Sequence, residues 1–369
     1  MLLKFFMKVC AVCVPVVLVM AIVNYSIDPA LVIREYNYSE QVATGILEGY
    51  NVAIDTNFNE RKLQRLLIYG NNRNFDRVIL GSSRVMSIPT EAFGLGDCFI
   101  NGVSGAVIED IIGIIGMYDI DNTLPHEFVL GIDPWLLNEN HGNTRYLELT
   151  DEYNDYSERL GISLLSVSRF IMNTQRIVQL LSPTYFQASL RSISLSPKKL
   201  YSAIMNSGLS IDPIIIDGVS LETTTILSDG SVVYNEARNN LSEEEVIRSV
   251  ENDIVYNGLY QSSNYLELSP DIVQRFTILT DYLLSNNVSI VFLIAPLHPL
   301  MYQHVEENRE YAMVLKSEEF VRDFAESRGI PVIGSFDPGR LGATGADFYD
   351  AIHPTREFMA ALCENAFAR

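Results

Sequence analysis

Lysine and arginine are scarce in this chain, 26 against 46 aspartates and glutamates, which leaves a formal net charge of −20 over 369 residues. Nucleic acids are held by clustered cations that release counterions from phosphates, so this balance excludes a nucleic-acid role. Histidine is sparse as well, five in all. The five are scattered with no ligand spacing, so no metal site is expected, and no cofactor is implied. The four cysteines are Cys10, Cys13, Cys98 and Cys363. Two lie in an apolar N-terminal run and two are far apart, so neither a disulfide framework nor a zinc motif follows. Internal repeats and low-complexity tracts are absent.

What is present is apolar content, 48%, enough for a sizeable core in one large or two ordinary domains. From Val9 to Ile27 there are 19 residues without a charge, and a helix of that length rises about 28 Å, close to a bilayer core. Lys4 and Lys8 precede the run while Asp28 and Glu35 follow it. The positive-inside tendency then puts the N-terminus in the cytoplasm and the remainder outside, in a periplasm or at a cell surface. Residues 1–27 are therefore expected to form an uncleaved single-pass membrane anchor, since no small-x-small cleavage site closes the run.

Residues 28–75 read as a stalk ending in a lead-in helix around Asn59–Leu67, where apolar residues recur at helical spacing. Beyond them, short apolar runs appear at Arg77–Leu80, Cys98–Asn101, Glu127–Ile132, Val288–Ala295 and Ile330–Gly334. Strands buried on both faces have this composition. Helical patterns lie between several of them, at Val107–Tyr118 and Ile272–Ser285, and a last one covers Arg356–Phe367. The alternation predicts an α/β fold, a three-layer parallel sheet flanked by helices, over residues 76–369. Residues 140–265 break the rhythm, being long and rich in Ser, Asn, Tyr and acidic residues, and read as a cap or insertion.

Open parallel sheets bind ligands at the carboxyl ends of their strands. Ser83 follows the first strand in Gly81-Ser82-Ser83-Arg84, Gly105 the second, Asp133 the third in Gly131-Ile132-Asp133-Pro134-Trp135, and His298 the fourth; Asp350 and His353 stand just before the last helix. A serine hydroxyl becomes a nucleophile when a neighbouring histidine takes its proton, and an aspartate fixes that histidine's tautomer. Each piece alone has a plainer reading. Gly-Ser-Ser is a common turn, Asp-x-x-His before Pro354 suits a helix entry, Gly105 suits a helix start, and His298 is as readily a loop-packing residue as a substrate contact. Their order on successive strand ends favours a site.

This pattern resembles the SGNH (GDSL-type) hydrolase superfamily, whose first block is Gly-Asp-Ser after the first strand and whose last is Asp-x-x-His near the C-terminus. The resemblance runs from about residue 76 to the end, outside the 140–265 insertion, and implies a flavodoxin-like sheet. It implies Ser83 as nucleophile, His353 as general base, Asp350 as its orienting group, and the backbone N–H groups of Ser83 and Gly105 as oxyanion donors. Two departures are visible: Ser82 stands where the family has Asp, and Asp133 where it has an oxyanion-hole Asn. An ionised carboxylate about 4 Å from an oxyanion would cost on the order of 4 kcal/mol. Asp133, His298, Arg84 and Asn138 are accordingly candidates for substrate contacts, with Asn138 or Asn140 able to stand in as a donor.

An anchored SGNH domain is similar to proteins that work beside membrane-bound O-acyltransferases in polysaccharide O-acetylation and teichoic-acid acylation. The implied function is an acyltransferase or acetylesterase acting through an acyl-serine on cell-envelope or exported polysaccharide. The implied partners are the acylated glycan and a membrane-bound acyltransferase. Two alternatives stay open: a lipid or glycan esterase, and a non-catalytic polysaccharide-binding scaffold.

Overall fold

A computed structural model describes residues 2–28, 37–54, 58–71, 74–165, 178, 180–192, 213–256 and 258–368. Parts of the expected stalk, at 29–36, 55–57 and 72–73, and parts of the expected insertion, at 166–177 and 193–212, lie outside the described residues. The chain divides into two compact units, one comprising Met1–Val42, Ile54–Asn59 and Ser166–Ile214, the other Ala43–Ala53, Glu60–Leu165 and Ile215–Arg369.

The larger unit is an α/β fold built on five parallel strands, β2 (Arg77–Leu80), β3 (Cys98–Ile100), β4 (Glu127–Gly131), β8 (Ser289–Ile294) and β9 (Val332–Gly334). Their order in the sheet is β3-β2-β4-β8-β9, and every neighbouring pair is parallel. The strands are apolar because both faces are covered. Ile79, Val129, Val291 and Leu293 pack on one side with Met359 and Cys363 of the helix Arg356–Phe367. Each fully buried aliphatic chain in such a layer contributes about 1.5–3 kcal/mol relative to exposure. The helix Ile108–Ile120, which connects β3 to β4, is buried along nearly its whole length.

Sheet order sets the position of the site. The chain runs from β2 outward to β3 at the edge, then back past β2 to β4. The carboxyl end of β2 is thus where the winding reverses, and the loops after β3 and β4 diverge there to leave a crevice. Ser83 stands at that point.

Segments expected to be a stalk and an insertion form a second sheet of four strands. The order is β5-β1-β6-β7, where β1 is Asn51–Ile54, β5 Ile214–Ile216, β6 Thr224–Ile226 and β7 Val232–Val233. The turn between β6 and β7 meets the edge of the main sheet, where the Ile100 N–H donates to the Asp229 carbonyl at 2.9 Å.

The anchor expectation is corrected. Among the described residues no helix is long and apolar enough to cross a membrane. The run does form a helix, Leu2–Ile27, but Asn24 and Ser26 in its last turns are buried polar residues. The Asn24 amide donates to the carbonyls of Leu180 and Ser182 at 3.0 and 3.1 Å. Val23 and Ile27 pack against Phe186 and Leu190 within the smaller unit. With Lys8 at one end and Asn24 at the other, the uninterrupted apolar stretch is Val9–Val23, about 22 Å of helix, short of the ~30 Å hydrocarbon core. The single-pass topology and the extracytoplasmic placement inferred from it fall with the anchor.

Candidate active site

Two glycines bring the strand ends close enough for a site. A Cβ on Gly81 would stand 3.1 Å from the Gly131 Cα and 3.0 Å from the Val85 side chain, so the loops after β2 and β4 touch through glycine. The Gly81 carbonyl also accepts from the Val103 N–H at 3.0 Å, which ties in the loop after β3. Ser82 then caps a one-turn helix, Ser83–Met86, accepting from the Arg84 N–H at 3.3 Å. Ser82 therefore serves the backbone at the place where the superfamily has an aspartate.

Ser83 Oγ lies 2.8 Å from His353 Nε2. His353 Nδ1 lies 2.8 Å from both carboxylate oxygens of Asp350. The 3-residue spacing works because Asp350 Oδ1 accepts the N–H groups of Ile352 and His353, at 3.0 and 2.9 Å, folding the loop over its own side chain. The Tyr349 N–H donates to the His353 carbonyl at 2.9 Å and closes the turn. Burial pushes the Asp350 carboxyl up, but His353 and Arg238 beside it outweigh burial and hold it well below the usual carboxylate range. An ionised Asp350 accepts from Nδ1–H, which leaves Nε2 as the acceptor facing the serine.

Arg238 is a site residue that the sequence pattern did not single out. It sits in the short helix Glu236–Asn239 after β7, donates to Asp350 Oδ2 at 2.8 Å, and lies 4.5 Å over the Tyr234 ring. Asp253, on the helix Glu243–Tyr256, is close enough to Asp350 to feel its charge; burial first and that charge second raise its pKa. Both come from the 140–265 segment, which thus supplies side chains to the site.

Removing Arg238 should weaken the acid side of the stability profile. A carboxyl whose pKa is depressed on folding contributes stability that is complete above its unfolded value, about 3.9, and is lost as pH falls through the folded value. Arg238→Ala removes part of that depression. It is expected to cost about 0.5–1 kcal/mol between pH 5 and 7, discounted because Arg238 is 35% exposed. The difference from wild type should shrink below about pH 4, as followed by urea unfolding at several pH values. A difference independent of pH down to strong acid would show that Arg238 acts by packing alone.

The remaining candidates are held by the protein's own groups. Arg84 is 1% exposed, with Nε donating to the Ile352 carbonyl at 2.9 Å, Nη2 to the Ala295 and Pro296 carbonyls, and Nη1 to Asp133 Oδ1 at 3.3 Å. Its donors are committed inside the protein, which corrects its assignment to substrate. Asp133 is buried beside it; burial raises its carboxyl pKa, and Arg84 and a hydrogen bond from Ser82 oppose that. Asp133 is therefore an internal counter-ion that staples the β4 end to the short Ser83 helix, not a group facing an oxyanion. Asn138 is buried, with Oδ1 accepting the Asn140 N–H at 2.9 Å in a local turn, while its Nδ2 donor is buried with no hydrogen-bond partner among the described residues. His298 is buried against Phe348, and its Nδ1 accepts the Leu300 N–H at 3.1 Å to cap the helix Pro299–Glu307. Its Nε2 is buried with no hydrogen-bond partner among the described residues.

Gly105 has a left-handed backbone, φ +59°, and a Cβ there would stand 2.5 Å from the Tyr260 hydroxyl. Asn143 Nδ2 donates to the Gly105 carbonyl, while its Oδ1 accepts the Arg145 N–H at 3.0 Å. Trp135 Nε1 donates to the Ala106 carbonyl at 2.9 Å. Among the described residues no group of three or more His, Cys, Asp and Glu side chains is placed to hold a metal ion.

Set against protein-family models and against curated proteins, the sequence matches none.

Proposed function

We propose that this protein is a serine acyl-transfer enzyme of the SGNH type. It takes an acyl group from an ester onto Ser83 and passes it to a sugar hydroxyl or to water. The observation that carries this reading is the unbroken chain from Ser83 Oγ to His353 Nε2 to Asp350, each link 2.8 Å, at the switch point of a parallel sheet. A histidine held between a serine and an ionised carboxylate is built to move a proton in both directions.

The steps follow from that arrangement. Ser83 Oγ attacks the ester carbonyl carbon, its proton passes to His353 Nε2, and the carbonyl electron pair moves onto oxygen. Backbone N–H groups of Ser83 and Gly105 are the donors that the superfamily resemblance assigns to the resulting oxyanion. The intermediate then collapses, expelling the alcohol oxygen, which takes the proton from His353. An acceptor hydroxyl repeats the sequence in reverse and frees Ser83. Asp350 stays ionised throughout and balances the transient imidazolium. Hydrolysis is the same chemistry with water as acceptor.

Incubation of the full-length protein with a fluorophosphonate probe tests the reading. Labelling of wild type that disappears in Ser83→Ala and in His353→Ala is the expected result. A folded wild-type protein that takes no label overturns it.

A further inference from the structure

With Asp133 locked to Arg84, the third oxyanion donor that a carboxamide would supply at that place is missing. We propose that the Tyr260 hydroxyl supplies it, standing over Gly105 as a side-chain oxyanion donor. The proposal rests on the acyl-transfer reading above.

The first support is position. A Cβ added to Gly105 would meet the Tyr260 hydroxyl at 2.5 Å, the carbon bearing it at 2.7 Å, and its ring neighbour at 2.8 Å. The phenol end of Tyr260 thus occupies the space that any side chain at 105 would fill. Only glycine at 105 lets the ring approach, quite apart from the left-handed backbone there.

The second support is the way Tyr260 is held. Tyr260 and Gln261 both have left-handed backbones, φ +49° and +56°. Non-glycine residues in that region cost of order 1 kcal/mol or more each and persist where surroundings dictate them, most often at functional sites. Here the Trp135 ring lies 4.4 Å from the Tyr260 ring, and Trp135 is itself fixed to the Ala106 carbonyl. A merely space-filling tyrosine would not require two consecutive strained residues.

The third support is the retained hydroxyl proton. Burial, the largest influence, raises the Tyr260 pKa, so the phenol keeps its proton through neutral pH. Arg145 N–H and Nε further hold Asn143 Oδ1 at 3.0 and 3.4 Å, and Asn143 Nδ2 holds the Gly105 carbonyl. Gly105 and Arg145 are thus fastened to one another through Asn143, which acts as a positioning residue.

The test uses full-length protein and 4-nitrophenyl acetate. Tyr260→Phe keeps the ring on Trp135 and Gly105 and removes only the donor. The expected result is a fall in kcat of about 10²–10³-fold with KM nearly unchanged, the signature of an interaction made in the transition state. Capture of the fluorophosphonate probe should slow by a similar factor. Unchanged kcat, or a rise in KM alone, in a background where wild type shows Ser83-dependent turnover overturns the assignment of Tyr260 and leaves acyl transfer standing. Absence of Ser83-dependent turnover in wild type overturns both. Should Tyr260→Phe fail to fold, site-specific replacement of Tyr260 by difluorotyrosine decides the matter. Its phenol ionises at lower pH, so a donor role predicts that the alkaline limb of kcat moves to lower pH, and an unmoved profile overturns the proposal.

Discussion

Ser83→Ala is expected to lower kcat on an activated acetyl ester by roughly 10⁶-fold, and His353→Ala by a comparable factor, with the double variant little worse than either. The reason lies in the linkage. Ser83 Oγ is not nucleophilic unless His353 Nε2, 2.8 Å away, takes its proton, and the histidine has nothing to deprotonate once the serine is gone. Non-additivity is therefore the diagnostic feature, more than the size of either loss. Asp350→Asn should cost about 10⁴-fold, because a carboxamide holds the wrong tautomer while keeping the shape. The two backbone N–H groups on Asp350 Oδ1 can still be satisfied by the amide oxygen, so this variant should fold. Single-turnover and steady-state rates of the four proteins decide it. Additive losses, or a His353→Ala variant with near wild-type rates, would refute a concerted triad.

The largest effect on stability is expected at Arg84. Arg84→Ala should destabilise the protein by about 3–5 kcal/mol, read as a drop in the urea midpoint with an unchanged slope. Removing the guanidinium leaves the Asp133 carboxylate buried without its partner, and also strips the Ile352, Ala295 and Pro296 carbonyls of a donor. Asp133→Asn should cost less, since Arg84 keeps its three carbonyl acceptors and a neutral amide needs no counter-charge. Arg84→Met combined with Asp133→Leu should recover part of the loss, because an apolar pair of similar volume avoids the desolvation of two charges. An Arg84→Ala cost below about 1 kcal/mol would mean that the pair is peripheral to the fold.

Strand ends are local features and were legible in the sequence, whereas Ser83 and His353 stand 270 positions apart and were paired through the resemblance of their two blocks to a family pattern. Apolar runs between turn residues mark the five strands to within a residue or two, and Asp-x-x-His stands in one loop. Arg238, Asp253 and Tyr260 were not legible, because they arrive from a segment of irregular composition whose contacts with the site are all long-range in sequence. Nothing around Arg238 in Asn235-Glu236-Ala237-Arg238 marks it as a partner of Asp350, 112 positions away. The Asp133 substitution was visible, but its meaning was not. It reads as a lost oxyanion donor until Arg84 is seen beside it, and Arg84 reads as a substrate contact until three carbonyls are seen around it. The N-terminal helix misleads for a related reason: a count of uncharged residues treats Asn24 and Ser26 as neutral filler, whereas their burial marks that end of the helix as part of a folded unit.

Asn24 also fixes where the chain can be cut. A polypeptide beginning at residue 28 would lose the amide that quiets the Leu180 and Ser182 carbonyls, and would bare the Phe186 and Leu190 faces now covered by Val23 and Ile27. Expression trials that trim the leading helix for convenience would thereby manufacture a sticky surface on the smaller unit, and the sensible boundary lies upstream of Val23.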